Sequence, residues 1–279
     1  MSENKKKIEL SLINDLCTIV NTDTPTSPDT VLARFFIDNY HQISEFSVYD
    51  IADKCLVSRS SIHRFCQRLG YHNFKDMKAD FKKISSQYDY FLQLAGRSDF
   101  VVYMQLEMMK MIVDLNEQIT KDVLERLAKR IHDSKEVVLI SSYSEKSYLQ
   151  KFQRPLVLSG KFVRVFCDHF EEDALQMSLL KKLDKGCLVM MISAKGIYAS
   201  HQDEVMKTIS AHKVLVTSSR RQDICSTYDE VYHLSRDDYT NLKSVYSEYG
   251  ICFFFDILYS TYLRRLSKLV GGQEKIEAN

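Results

Sequence analysis

The chain has 279 residues, 45% of them hydrophobic and 27% charged, with a formal net charge of +1. That length exceeds one typical domain and can fill two cores, while the balanced charge excludes a uniformly basic polyanion binder, so any nucleic-acid surface has to be a local patch. Cys17, Cys55, Cys66, Cys167, Cys187, Cys225 and Cys252 are odd in number, scattered and free of any C-x-x-C pair, which argues against a disulfide framework or a zinc site and predicts reduced, mostly buried thiols.

The opening MSENKKKIELSLINDL is lysine-rich, but no apolar run of signal-peptide or membrane-span length follows it or occurs later, which predicts a cytoplasmic protein. Ile8, Leu12, Leu16 and Ile19 recur at helical spacing until the segment from Asn21 to Pro28 breaks the run. Further helices are predicted over Asp29–His41, Val48–Cys55, from just after Val57, and over Asn73–Ile84. The partly polar stretch 85–98, ending in Gly96 and Ser98, reads as a linker.

Beyond it the pattern alternates. Helices over Phe100–Gln118 and Lys121–His132 precede β-branched runs at Val137–Ile140, Phe162–Phe166, Leu188–Ile192, Val214–Thr217 and Val231–Leu234, and a long helix over Ser244–Leu269 closes the chain. The spacers are long enough for crossover helices, so the expected class is α/β: an all-α N-terminal domain (1–84), then a five-stranded parallel sheet (99–279).

The stretch from Ser47 to Gly70 holds two short amphipathic helices joined by a connection of about three residues, the spacing of a helix-turn-helix. Ile51, Ala52, Leu56, Val57, Ile62, Phe65 and Leu69 would form its core, and Ser58 would cap the second helix, turning the first amides toward a phosphate. Arg59, Ser60, His63, Arg64, Gln67 and Arg68 fall on the other face and, with Ser58, are the candidate DNA contacts. No acidic residue lies between Asp53 and Asp76. A basic solvated face would explain the charge alone, but helix lengths, turn and core pattern together favour DNA binding.

The block from Phe46 through Phe81, above all Ser58-Arg-Ser-Ser-Ile-His-Arg-Phe-Cys-Gln-Arg-Leu-Gly70-Tyr71-His-Asn-Phe74, resembles the N-terminal domain of RpiR-type transcriptional regulators. The resemblance implies a C-terminal sugar isomerase (SIS), flavodoxin-like domain that senses a phosphorylated sugar and dimerises, and regulation of carbohydrate-metabolism genes from a palindromic operator. Ligands of such sheets sit at the carboxyl ends of the strands. Candidate effector residues are therefore Ser141, Ser142 and Ser144 after the first strand, Ser193 and Lys195 after the third, and Thr217 and Ser218 after the fourth. The family's Gly-x-Gly-x-Ser is replaced here by Ser141 and Tyr143 at the glycine positions, and its Ser-x-Ser-Gly-x-Thr by Ser193-Ala-Lys195-Gly196-Ile-Tyr198.

Other features read more plainly. Met104, Met108, Met109 and Met111 suit packing or a subunit contact, and Ile251, Phe253, Phe254, Phe255, Leu258, Tyr262 and Leu266 make the final helix apolar around much of its circumference. His169, Glu171, Glu172 and Asp173 read as a solvated acidic helix start, and Arg220-Arg221 as a solvated surface pair. Neither Glu145 nor His201 has a recognisable catalytic partner, so no catalytic residue, cofactor or metal is expected. The sequence reads as a dimeric, ligand-responsive transcriptional regulator. The alternatives are a sugar-phosphate isomerase, or a regulator whose α/β domain only dimerises.

Overall fold

The computed structural model describes residues 11–81, 95–142, 145–167, 173–238 and 249–277. The chain divides into two compact units, Met1–Ser98 and Asp99–Asn279. Residues 85–94 of the expected linker lie outside the described residues.

The N-terminal unit contains α1 (Ser11–Thr22), α2 (Pro28–Asp38), a 3-10 turn (Tyr40–Glu45), α3 (Val48–Cys55), α4 (Arg59–Arg68) and α5 (Phe74–Phe81). Serine caps start three of them. Ser27 accepts from the Thr30 amide, Ser47 forms a capping box with Asp50, and Ser58 accepts from the Ser61 amide. The second helix stops at Asp38, short of the expected His41, because the Asn39 side chain bonds back to Phe35 O and the chain tightens into the 3-10 turn. Phe36 is fully buried at the centre, its ring 5.7 Å from Phe65, 5.9 Å from Phe74 and 5.8 Å from Phe81.

One expected core residue is not in the core. Leu56 is 92% exposed, because it takes the left-handed conformation (φ 54°) that ends α3 and turns its side chain outward. Ile51, Ile62, Phe65 and Leu69 are buried as expected, with Ala52 and Val57 half-buried beside them.

The second unit runs α6 (Phe100–Gln118), α7 (Lys121–Asp133), β1 (Val137–Ser141), α8 (Lys146–Leu158), β2 (Val163–Cys167), α9 (Ala174–Lys181), β3 (Leu188–Ile192), α10 (Ile197–His201), α11 (Asp203–Lys207), β4 (His212–Thr217), α12 (Gln222–Cys225), β5 (Glu230–His233) and α13 (Ile251–Glu277). Each strand lies within two residues of its expected start, and the sheet is wholly parallel in the order β2-β1-β3-β4-β5. The central strands β1 and β3 are apolar and buried on both faces, as a sheet covered by helices on both sides requires. The final helix begins, in the described residues, at Ile251. It packs Phe255 on Phe152 of α8 (centroids 4.4 Å) and buries Ile251, Phe254, Leu258 and Tyr262 against the sheet's helical layer.

No helix among the described residues is long and apolar enough to cross a membrane. All seven cysteines are free thiols. Only Cys55, Cys66 and Cys187 are buried, which corrects the expectation that most would be. Burial pushes the Cys66 thiol up to about 12, so it is unreactive at neutral pH.

Candidate functional site

α3 and α4 are joined by Leu56, Val57 and Ser58, and the phase of α4 decides what it presents. Ile62, Phe65 and Cys66 face the core, which leaves Ser58, Arg59, Ser60, His63, Arg64, Gln67 and Arg68 exposed. Ser58 Oγ bonds the Ser61 amide (3.1 Å) and the hydroxyls of Ser60 and Ser61 (2.7 and 2.8 Å), building a polar, amide-rich helix start of the kind that receives a phosphate.

Arg64 makes only a long bond to Ser61 Oγ (3.4 Å) among the described residues, whereas Arg59 and Arg68 are firmly engaged. The Arg59 guanidinium lies 4.9 Å from the ring centre of Tyr49 and donates to its hydroxyl at 3.0 Å. Tyr49 is 63% exposed and escaped notice as a candidate. The signal was its position out of phase with the inward residues Val48, Ile51 and Cys55. Arg68 donates to both Asp23 and Asp29 at 2.6 Å, and its hydrogen bond holds the Asp23 carboxyl below its ordinary value, outweighing desolvation. Arg68 thereby ties the segment after α1, and the first turn of α2, to the end of α4. Asp23 and Asp29 stand 45 and 39 residues earlier in the chain, so the acid-free window around α4 could not reveal them. Arg68→Ala is expected to leave base preference unchanged while Arg64→Ala alters it, as measured by site selection.

In the second unit the order β2-β1-β3-β4-β5 reverses between β1 and β3, and that switch point opens at their carboxyl ends. The register places Ser141 beside Ile192 and Ile192 beside Val216, so the loops after β1, β3 and β4 meet there. Ser141, Ser142, Ser193, Thr217 and Ser218 are all buried, Lys195 is half-buried, and Ser144 lies outside the described residues.

Most of these hydroxyls are used internally. Ser141 Oγ donates to Ser142 O, Ser142 Oγ bonds the Glu145 carboxylate, Ser193 Oγ accepts from the Ala199 amide (3.2 Å), and Thr217 Oγ1 bridges Ala194 O and the Ser219 amide. Ser218 Oγ is buried with no partner among the described residues. Gly196 turns the loop after β3 with φ +72°, and an added Cβ would sit 2.8 Å from Ser219 Cβ. Gly196→Ala is therefore expected to cost about 1–3 kcal/mol, measurable by urea denaturation.

Arg220 is no solvated surface residue, contrary to expectation. Its guanidinium donates to Gln118 Oε1 (3.1 Å), Ser235 O (2.6 Å) and Arg236 O (3.0 Å), whereas Arg221 pairs outward with Asp223. His233, in register with Thr217, is held below its ordinary 6.5 by burial and by the charge of Arg220, with a hydrogen bond to the Ser219 backbone and, less so, Asp238 opposing. The unfolded chain therefore takes up this proton first on acidification. His233's contribution is complete above 6.5 and is lost as pH falls through that value toward the folded one. Urea midpoints at about pH 7.5 and about pH 5.5 should differ, and His233→Asn should shrink the difference.

Of the acidic run near residue 170, only Asp173 lies among the described residues, and it caps α9 through the Leu175 and Gln176 amides. No group of three or more metal-ligating side chains occurs among the described residues.

The N-terminal unit contains a helix-turn-helix and the second unit a parallel sheet with a switch point. Residues 21–87 match the helix-turn-helix domain of the rpiR family. The chain is 24% identical over 178 residues to an uncharacterized HTH-type transcriptional regulator of Providencia stuartii, spanning 59% of each protein. Among solved structures it is similar to the Vibrio vulnificus NanR protein complexed with ManNAc-6P (16% identity, TM-score 0.47, 96% of this chain and 97% of that one). It is similar also to the sugar isomerase domain of an RpiR transcription factor from Sphaerobacter thermophilus (12% identity, TM-score 0.48, 65% of this chain and 100% of that one).

Proposed function

We propose that the protein is a cytoplasmic, homodimeric transcriptional regulator that reads DNA through α4 and senses a phosphorylated sugar or related anion at the carboxyl ends of β1, β3 and β4. The observation that carries the DNA reading is the face of α4: a serine-capped start followed by exposed Arg59, His63, Arg64 and Gln67, on a domain of the rpiR helix-turn-helix family. Arg59 enters the groove braced on Tyr49, which reduces the rotamer freedom it must lose on binding. Arg68 acts as a strut between α4 and the segments before it.

The effector reading rests on the switch-point position of the loops and on the unsatisfied Ser218 hydroxyl. Arg220 supplies a route out of that site. It follows the β4 loop directly and bonds Gln118 at the end of α6, the helix that starts just after the unit boundary. An effector that reshapes the β4 loop would thus bias the position of α6. Dimerisation is supported by an apolar stripe on α6, where Val102, Leu106, Met109 and Val113 are 56, 60, 64 and 56% exposed at successive helical turns. A second reading, a regulator whose α/β domain only dimerises, is favoured by the internally satisfied hydroxyls of Ser141, Ser193 and Thr217.

Anisotropy titration of labelled random-sequence duplex at increasing salt tests the DNA reading, with affinity expected to fall linearly on a log–log plot as counterions are released. Absence of binding at low salt would reject it. A phosphorylated sugar that raises the melting temperature of the wild type but not of Ser218→Ala separates the sensor from the dimerisation module.

A further inference from the structure

The amino ends of the strands carry a second candidate site that the regulator reading does not use. A cleft of about 510 Å³ is lined by Arg126, Lys129, Arg130 and Asp133 of α7, by Ser134, by Lys185 and Gly186 ahead of β3, and by Glu230 at the start of β5. Residues 126, 129, 130 and 133 follow the i, i+3, i+4, i+7 rule, so one stripe of α7 aims three cations and a carboxylate at the cleft, and Lys185 adds a fourth cation.

The two carboxylates are already committed. Asp133 is bound by Lys129. Glu230 Oε1 takes Arg130 at 2.9 Å and His212 Nε2 at 2.9 Å, while its Oε2 takes the Tyr232 hydroxyl. Burial works against ionisation of Glu230, but these partners outweigh it and hold the carboxyl below its ordinary value, so the group stays an occupied anion. Among the described residues, Arg126 and Lys185 pair with no carboxylate. Arg126 stands one turn from Arg130, whose charge is already met by Glu230, so the unmatched charge at this end of the stripe is that of Arg126.

We propose that this cleft is an anion site for a compact small ligand bearing at least two phosphate charges, clamped by Arg126 and Lys185. The forked guanidinium of Arg126 suits a phosphate's paired oxygens, and Lys185, from the segment ahead of β3, adds a point charge. The lining holds no aromatic or apolar side chain, so recognition is of the phosphates and not of a base or a hydrocarbon. The site is separate from the effector loops, which lie at the other end of strands such as β3, whose five residues span roughly 16 Å. It stands whether or not those loops bind a sugar phosphate.

The test uses the full chain and sodium pyrophosphate. Calorimetric titration at constant ionic strength should show saturable binding that weakens about tenfold or more in Arg126→Ala/Lys185→Ala, two exposed positions whose loss should leave the melting temperature unchanged. Arg126→Lys/Lys185→Arg should restore most of the affinity. Saturating pyrophosphate should also protect Lys185, but not Lys54 on α3, from acylation read by mass spectrometry. No saturable binding, equal affinity in the alanine variant, or binding that leaves Lys185 unprotected would overturn the proposal. Loss of DNA binding in the same preparations would bear on the regulator reading alone.

Discussion

Phe36→Ala is expected to remove about 3–5 kcal/mol from the N-terminal domain, the largest effect of any single substitution considered for that unit. The ring is fully buried and stands within 6 Å of Phe65, Phe74 and Phe81, so it joins α2 to α4 and α5 at one point. Truncation leaves a void bordered by three aromatic rings that cannot collapse together without moving their helices. Against a typical domain stability of about 5–15 kcal/mol, that loss should lower the urea midpoint sharply and weaken DNA binding by depopulating the folded α4. An unchanged midpoint would mean that the aromatic cluster is not what holds the three helices together.

Arg59→Ala combined with Arg64→Ala is expected to cost roughly 1–3 kcal/mol of specific DNA affinity per arginine that reaches a base, with little change in stability. Both side chains are exposed, and among the described residues they bond only to Tyr49 and Ser61, so the fold has little to lose. Tyr49→Phe removes the hydroxyl but keeps the ring under Arg59, and should fall between wild type and the arginine variant. Anisotropy against a selected site and against random duplex separates lost base reading, which spares random duplex, from lost phosphate contact, which weakens both.

The architecture was legible in the sequence because its signals are local. Ser58 ahead of an apolar-periodic run marks the start of α4, and β-branched runs at regular spacing mark all five strands. The exposed face of α4 followed from phase alone. What escaped depends on contacts between distant residues or on backbone conformation. Leu56 has the composition of a core residue and leaves the core only because the α3–α4 turn needs a left-handed residue there. Arg68 and Arg220 read as free cations until the fold brings Asp23 and Asp29 to one, and Gln118 with two carbonyls to the other. The candidate loops follow β1, β3 and β4 as the strand pattern suggests, yet composition could not say that most of their hydroxyls are spent on the loops themselves.

Whether α4 reads a DNA sequence is settled by site selection. Random duplex DNA would be selected at near-physiological salt by the wild-type protein and, in parallel, by Arg59→Ala/Arg64→Ala. The wild type is expected to enrich a palindromic site that the variant does not. Enrichment of the same site by both proteins would contradict that reading.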